Sequence, residues 1–224
     1  MTSEAVTPPV ADRRPFTRTH HGDDVSDPYE WLRAKDDETV IGHLEAENDY
    51  TDSRTAHLAG LRERIFEEIK GRTLETDLSV PSRRGQWWYY GRTVEGKQYG
   101  INCRAPIADV ADWTPPVLSP DTDVPGEQVL LDGNVEAEGH DFFSLGSLDV
   151  SNDGTRMLYA VDVAGDERYT LRIRDLMTGD DLADVIENTF SGAVFSPDGR
   201  HVVYTTVDDA WRPDTVWLHE VGTD

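Results

Sequence analysis

Cysteine, lysine and long apolar runs are what this 224-residue sequence has least of. The single cysteine, Cys103, leaves no partner for an intramolecular disulfide and no set of thiolates for a structural zinc site. A reducing compartment is therefore expected, and the cytoplasm is the natural one. Aromatic or aliphatic runs extend for a few residues at most, far below the roughly 20 that a membrane-spanning helix needs. Near the N-terminus Glu4 and Asp12 precede Arg13 and Arg14, with no apolar segment behind them, so no secretory signal is expected. Lysine supplies only Lys35, Lys70 and Lys97 of the 21 basic residues, a bias that fits a GC-rich genome and a salt-adapted proteome equally well. Against those 21 stand 44 acidic residues, and the formal net charge is -23. Such a surface repels phosphate backbones and anionic lipid, which disfavours nucleic acid and membranes as partners and suits cationic ligands.

What is present is enough to fold. Hydrophobic residues make up 37 %, with six Trp, eight Tyr and six Phe, which suffices for a core. Residues 1–26 hold three prolines, scattered charge and no period, and read as an extended leader. Residues 27–78 read as a helical segment. Asp27-Pro28-Tyr29-Glu30 has a capping acid, a first-turn proline and an acid at the capping-box position, with Trp31 and Leu32 expected to face a core. Val40, Ile41, Leu44, Leu58, Leu61, Ile65, Phe66 and Ile69 then recur at helical spacing, predicting two or three helices up to about Arg72, with breaks at Gly60 and Gly71.

Residues 79–224 change character. Short aromatic and β-branched runs alternate with Gly, Asn and Asp, the pattern of strands joined by tight turns. A repeat runs through them. Ser151-Asn152-Asp153-Gly154, Met157-Leu158-Tyr159-Ala160 and Leu171-Arg172-Ile173-Arg174-Asp175 align without a gap, at an offset of 45 residues, with Ser196-Pro197-Asp198-Gly199, Val202-Val203-Tyr204-Thr205 and Val216-Trp217-Leu218-His219-Glu220. A degenerate earlier copy holds Ser82-Arg83-Arg84-Gly85, Trp87-Trp88-Tyr89-Tyr90 and Tyr99 to Arg104, followed by a proline-rich insertion around Thr114-Pro115-Pro116 that ends in Val129-Leu130-Leu131-Asp132. In the Trp87–Tyr90 run, alternate residues are expected in the core and the others against the neighbouring helices. A unit of about 45 residues with a turn and several strands is one blade of a β-propeller. The fold class expected is mainly β with an N-terminal helical segment, a partial propeller of two to three blades. Because propellers close with about 4 to 8 blades, and the last unit stops at Val221-Gly222-Thr223-Asp224, the chain is expected to be the front of something longer.

Motifs for chemistry are sparse. No serine has glycine two residues before and two after it, as a hydrolase elbow requires, and no glycine pattern fits a nucleotide site. Asp149, Ser151, Asp153 and Gly154 make only a weak calcium loop, because the third ligand position is Ser151 and the twelfth is Ala160 where a bidentate glutamate is needed. His20, His21, Asp23 and Asp24 are a dense group of metal-ligand types in a leader, where surface residues are the usual explanation. His43 and His57 lie on the helical stretch, while His140 and His219 stand alone. Cys103 reads as a small buried hydrophobe rather than a reactive thiol. The acidic pairs Asp36-Asp37, Glu67-Glu68, Asp180-Asp181 and Asp208-Asp209 read mostly as solvated faces. No catalytic, cofactor-binding or metal-binding residue is assigned, and no cofactor is expected.

Taken together, several motifs carry a resemblance. His21-Gly22, Asp27-Pro28-Tyr29, Trp31-Leu32-Arg33, Glu47-Asn48 and Tyr50 resemble the opening of the prolyl oligopeptidase family of serine peptidases. Trp88-Tyr89-Tyr90 with Arg92, Gly96, Tyr99 and Cys103-Arg104, Leu130-Leu131-Asp132-Gly133-Asn134, Leu145-Gly146, Glu167-Arg168-Tyr169, Leu171-Arg172, Asp175-Leu176, Arg212-Pro213 and His219 are similar to its oligopeptidase B branch. The resemblance covers about residues 15–224. It implies a seven-bladed propeller that filters oligopeptides by size, above an α/β-hydrolase domain on which the N-terminal helices pack. It also implies cleavage after Arg or Lys by a Ser, Asp and His triad in a C-terminal domain absent from this chain. The chain alone is then expected to be inactive. The rival reading is a stand-alone propeller-type binding or scaffold protein, and the amphipathic helices of residues 28–72, which need a second domain, argue against it.

Overall fold

The computed structural model describes residues 7–119 and 124–223. Residues 1–6 of the expected leader and Asp224 of the last repeat lie outside the described residues. The chain divides into two units, Met1–Thr73 and Leu74–Asp224, so the boundary falls five residues before that drawn from the sequence.

In the first unit the leader carries structure that the sequence pattern did not suggest. Strands β1 (Thr17–His20) and β2 (Asp23–Ser26) form an antiparallel hairpin with His20 opposite Asp23. His21 and Gly22 take φ of 53° and 87°, the two left-handed positions of a tight hairpin turn. Asp12 and Arg14 hold the preceding segment: Trp31 Nε1 donates to the Asp12 carbonyl at 2.9 Å, and the Arg14 guanidinium lies 4.0 Å from the centre of the Trp31 ring. Trp31 and Leu32 are accordingly half-buried rather than core.

Asp27 does not cap a helix, and the N-cap of the element that follows is Tyr29, with no side-chain cap bond. The Asp27 carboxylate accepts from Tyr29 N–H at 2.9 Å and leads into a short 3-10 turn, Glu30–Arg33. The long helix α1 (Glu38–Thr55) begins ten residues later, where Asp37 Oδ1 accepts from Thr39 N–H at 2.8 Å. A second 3-10 turn, Ala56–Leu58, separates α1 from α2 (Ala59–Arg72). The break therefore precedes Gly60, which lies inside the first turn of α2, and Gly71 sits in its last turn. Val40 is the one buried residue of α1, α2 has none, and Ile41, Leu44, Leu61, Ile65, Phe66 and Ile69 are all exposed.

The second unit is built from three antiparallel sheets. In the first, β5 (Trp87–Thr93) pairs with β6 (Ile101–Pro106) and β6 with β7 (Gln128–Asp132), while β3 (Asp77–Leu78) and β4 (Ser82–Arg84) share the free edge of β5. A short helix, α3 (Gly133–Glu136), follows. The second sheet has the order β11-β10-β9-β8, with β8 Ser144–Val150, β9 Arg156–Asp162, β10 Tyr169–Asp175 and β11 Asp181–Thr189. The third comprises β12 (Val194–Phe195), β13 (His201–Val207) and β14 (Pro213–Glu220). Strands β9 and β13 are displaced by the 45 residues of the repeat.

The repeated turn explains why those strands fold back where they do. Gly154 N–H donates to the Ser151 carbonyl at 2.8 Å and Arg156 N–H to Ser151 Oγ at 3.0 Å; 45 residues on, Gly199 N–H donates to the Ser196 carbonyl at 2.9 Å and His201 N–H to Ser196 Oγ at 3.0 Å. Gly154 and Gly199 both take positive φ, 73° and 68°, which a side chain would penalise.

Packing follows from strand alternation. Met157 and Tyr159 of β9 face the first sheet and join Leu130, Leu131 and Val150, whereas Leu158 and Ala160 face the third and join Leu171, Ile173, Ala193, Phe195 and Val202. With both faces covered, the second sheet buries β9 at all positions but Arg156 and Val161, and each large buried aliphatic there contributes about 1.5–3 kcal/mol relative to exposure. Trp88 and Tyr90 are buried as expected; of the alternate residues, Tyr89 packs on the Leu130–Tyr159 cluster, and Trp87 lies under the guanidinium of Arg104 on the adjacent strand β6. The outer face of the third sheet has no such cover, and Val194, Val216 and Leu218 are 48 %, 70 % and 66 % exposed.

Candidate functional site

The free-edge strands β4, β8 and β12 are joined by a line of polar side chains. An edge strand presents backbone N–H groups with no ladder partner, and β12 finds acceptors on the second sheet. Ser147 Oγ accepts from Gly192 N–H at 2.8 Å and from Ala193 N–H at 3.1 Å. Asp149 Oδ2 accepts from Phe195 N–H at 3.0 Å, and its Oδ1 accepts from Arg84 Nη1 of β4 at 2.9 Å. Arg84 Nη2 continues to Asn152 Oδ1 at 3.0 Å, and Asn152 Nδ2 donates to the Pro197 carbonyl at 2.9 Å. The line thus fixes the register of three sheets, a task for hydrogen-bonding groups and not for a nucleophile.

Charged groups tie the sheets together deeper in. Arg104 of β6 is fully buried, stacks 3.8 Å from the centre of the Trp87 ring, and donates to Gln128 Oε1 at 2.8 Å and to the Gly154 carbonyl of the second sheet at 2.7 Å. Arg174 Nε binds Asp181 Oδ1 at 2.8 Å, and its Nη2 reaches the Tyr159 hydroxyl at 3.0 Å and Glu136 Oε1 at 3.2 Å. Burial, and then the hydrogen bond to Asp181, push the Tyr159 phenol well above its ordinary range. Within the first sheet, burial and Glu127 do the same to Tyr90, whose hydroxyl donates to Glu127 Oε2 while Arg92 Nη2 holds Oε1 at 2.6 Å.

The residues singled out from the sequence fall into place around this frame. Cys103 is buried on β6 between Tyr90 and Ala105, and burial, with the Glu127 charge, holds its thiol above the usual range. Asp153 closes a turn on its own neighbours. The Ser151 hydroxyl, and then Thr155 N–H, hold its carboxyl below the usual range, and both bonds fall on Oδ1. His20, His21, Asp23 and Asp24 are exposed on the β1–β2 hairpin, where Thr19 Oγ1 donates to Asp24 Oδ1 at 2.6 Å. Among the described residues, no group of three or more His, Cys, Asp or Glu is arranged to hold a metal ion. His43 lies beside Trp31 and His57 in the 3-10 turn between the helices.

His219 does not stand alone: its Nε2 is 2.7 Å from Asp184 Oδ1. The acidic pairs are not simply solvated faces either, because one member of each does local work. Asp37 caps α1, Glu68 pairs with Arg72 at 2.6 Å, Asp181 binds Arg174, and Asp208 Oδ2 accepts from Arg212 Nη2 at 2.7 Å. Ser147, Asp149, Arg84 and Asn152 escaped sequence reasoning as a group. The signal for them was the repeat offset itself, since Asn152 and Pro197 are 45 residues apart and Ser147 and Gly192 likewise. Among the described residues, no helix is long and apolar enough to cross a membrane.

Comparison with known proteins finds one family. The model of the prolyl oligopeptidase N-terminal β-propeller domain matches residues 8–224. Dipeptidyl aminopeptidase BI of Pseudoxanthomonas mexicana is 35 % identical over 229 aligned positions, covering 100 % of this chain and 31 % of that protein. Protease 2 of Moraxella lacunata is 35 % identical, with 96 % of this chain and 30 % of that protein covered. Among solved structures, oligopeptidase B from Leishmania major superposes with a TM-score of 0.81 at 30 % identity, covering 98 % of this chain and 32 % of that one. Oligopeptidase B from Trypanosoma brucei, in a closed form with covalently bound antipain, gives 0.80 at 30 % identity over 97 % of this chain and 31 % of that one. The chain spans about a third of the length of the relatives it matches.

Proposed function

Because the chain belongs to the prolyl oligopeptidase family, through its N-terminal β-propeller domain, we propose that it is the propeller-gating part of an oligopeptidase B-like serine endopeptidase that hydrolyses oligopeptides after Arg or Lys. In this reading α1 and α2 pack on a C-terminal α/β-hydrolase domain. The three sheets are the first blades of a ring that limits the size of substrates, and the serine, aspartate and histidine of the triad lie outside this chain. The observation that carries the reading is the pair of uncovered apolar faces. Ile65, Phe66 and Ile69 on α2 and Val194, Val216 and Leu218 on the third sheet are exposed, and clustered apolar surface of that kind calls for a partner. The reducing cytoplasm suits a buried free thiol, and the charge of -23 favours cationic peptides through faster encounter rather than faster chemistry.

The test is an activity assay on the full-length gene product. It should cleave N-terminally blocked peptides after Arg and Lys about 100-fold better in kcat/KM than after a neutral residue, and the 224-residue chain alone should cleave none. Cleavage confined to peptides with a free N-terminus would make the protein a dipeptidyl aminopeptidase instead. A native product of 25.1 kDa with no peptidase activity would favour the scaffold reading. A flat salt dependence of kcat/KM would remove the steering role of the negative charge.

A further inference from the structure

Adjacent antiparallel strands need a connection of only about two to five residues, but the chain between β6 and β7 runs from Pro106 to Gln128. The first part of this detour, residues 107–118, has no strand or helix of its own, yet its path is fixed. Ile107 N–H donates to the Gln86 carbonyl at 2.9 Å, and Leu118 packs on the Tyr90–Cys103–Ala105 cluster. Between these anchors, Arg83 of β4 donates through Nη1 to the Asp112 carbonyl at 2.9 Å and through Nη2 to the Val110 carbonyl at 2.7 Å. The same guanidinium lies 4.0 Å from the centre of the Trp113 ring. A planar cation that spends two N–H groups on carbonyls and one face on an indole holds backbone and ring together.

Strand register turns these contacts into a route. Arg83 on β4, Trp88 on β5 and Ala105 on β6 are direct partners, so their side chains form one row across one face of the first sheet. Residues 107–118 leave from the β6 end of that row and pass over Trp88, where Ile107, Asp109, Asp112 and Pro116 help to enclose a cavity of about 190 Å3. They then reach Arg83 on the free-edge strand. That edge is where the three sheets converge: Arg84 of β4 binds Asp149 of β8, and Asp149 binds Phe195 N–H of β12. In sheets that fan around a propeller axis, the converging edges are the inner ones. The tether to Arg83 therefore brings Trp113 to the inner side of the fan, with its ring 72 % exposed.

Resting on the gating role given above, we propose that residues 107–118 are a strap that narrows the pore, with Trp113 as the side chain a long peptide must pass and Arg83 as the residue that positions it. The strap, and not the strand edges alone, then discriminates between substrates. A small substrate clears the indole before it is cleaved. An extended oligopeptide keeps part of its chain threaded past the indole, which has to be displaced or ordered around it. The cost falls on long peptides and leaves the chemical step alone.

The test compares two substrates of the full-length enzyme, a blocked arginyl amide and an extended oligopeptide with a single internal Arg. Trp113→Ala should raise the ratio of long-peptide to short-amide kcat/KM about fivefold, the factor that ordering one side chain costs. Arg83→Gln, which removes both carbonyl bonds and the stack, should raise it by a similar factor. The ratio is internal to each preparation, so partial loss of folded enzyme does not move it. In the unmodified enzyme, a long peptide with a reduced scissile bond should slow amide exchange at Ala111 and Thr114, whose N–H groups donate to Asp109 and Asp112 at 2.9 and 2.7 Å. The short amide should not. An unchanged ratio in Trp113→Ala, or exchange at Ala111 and Thr114 indifferent to the long peptide, would overturn the strap while leaving the peptidase reading intact. Failure of the unmodified enzyme to cleave either substrate would overturn both.

Discussion

Removing a single oxygen, in Ser147→Ala, tests whether side-chain acceptors hold the third sheet to the second. Ser147 is 6 % exposed, and its Oγ accepts two backbone N–H groups, from Gly192 at 2.8 Å and Ala193 at 3.1 Å. The change leaves a void of only one hydroxyl and no unpaired charge, so the cost comes almost wholly from the two orphaned donors. They are not equivalent. Ala193 is 4 % exposed and its N–H has no access to water, so it incurs the penalty of about 1–3 kcal/mol for an unsatisfied buried donor. Gly192 is exposed, and hydration should cut its share to about 0.5 kcal/mol or less. The sum is about 2 kcal/mol, or roughly 4–8 °C in Tm for a unit of this size.

Urea unfolding should show a lower midpoint with an unchanged slope, because the surface exposed on unfolding stays the same. Amide exchange should accelerate at Gly192 and Ala193 but not at Leu158 or Leu171 inside the second sheet. A loss below about 0.5 kcal/mol, or unchanged protection at Ala193, would refute the reasoning and mean that apolar packing alone sets the junction.

Other outcomes follow from the same contacts. Gly146→Ala would drive a Cβ into the buried Tyr169 ring, costing about 1–3 kcal/mol by overpacking, which thermal unfolding would register. Cys103 should resist a disulfide reagent at pH 8 in the native state and react at once in denaturant, because burial both blocks the sulfur and holds the thiol above its usual range; native labelling as fast as free cysteine would contradict this. Spectroscopic titration up to pH 11 should find Tyr90, Tyr159 and Tyr204 lagging the other tyrosines, since burial raises all three, and Tyr159→Phe should cost about 1–2 kcal/mol through the lost bonds to Asp181 and Arg174. With a net charge of -23, self-repulsion should make Tm rise by about 5 °C between 0.05 and 1 M NaCl; a flat or falling Tm would show that the acidic residues are locally compensated.

What the sequence made legible, and what it hid, divides along the range of the interactions. The 45-residue offset was readable because a turn such as Ser196-Pro197-Asp198-Gly199 and the strand after it are local: one carboxylate, one hydroxyl and one glycine at positive φ decide where the chain reverses. The same locality misled at Asp27, whose carboxylate only turns the chain by accepting from Tyr29 N–H, ahead of a 3-10 turn of four residues with no side-chain cap, while Asp37 had the long apolar period behind it. At Gly60, a weak helix former did not break the helix; the break fell earlier, at Ala56–Leu58, where propensity gave no warning. The leader hairpin was hidden because its cue, His21-Gly22, is not one of the Asn-Gly, Asp-Gly or Gly-Gly pairs that mark such a turn. The contacts that join one sheet to the next lie beyond such reading, since Ser147 to Ala193 and Asp184 to His219 span 46 and 35 residues and leave no period behind. They become readable only when the repeat is taken as a ruler. Position 174 plus one offset is position 219, and both hold a basic side chain against an acid from an earlier element, Glu136 of α3 and Asp184 of β11.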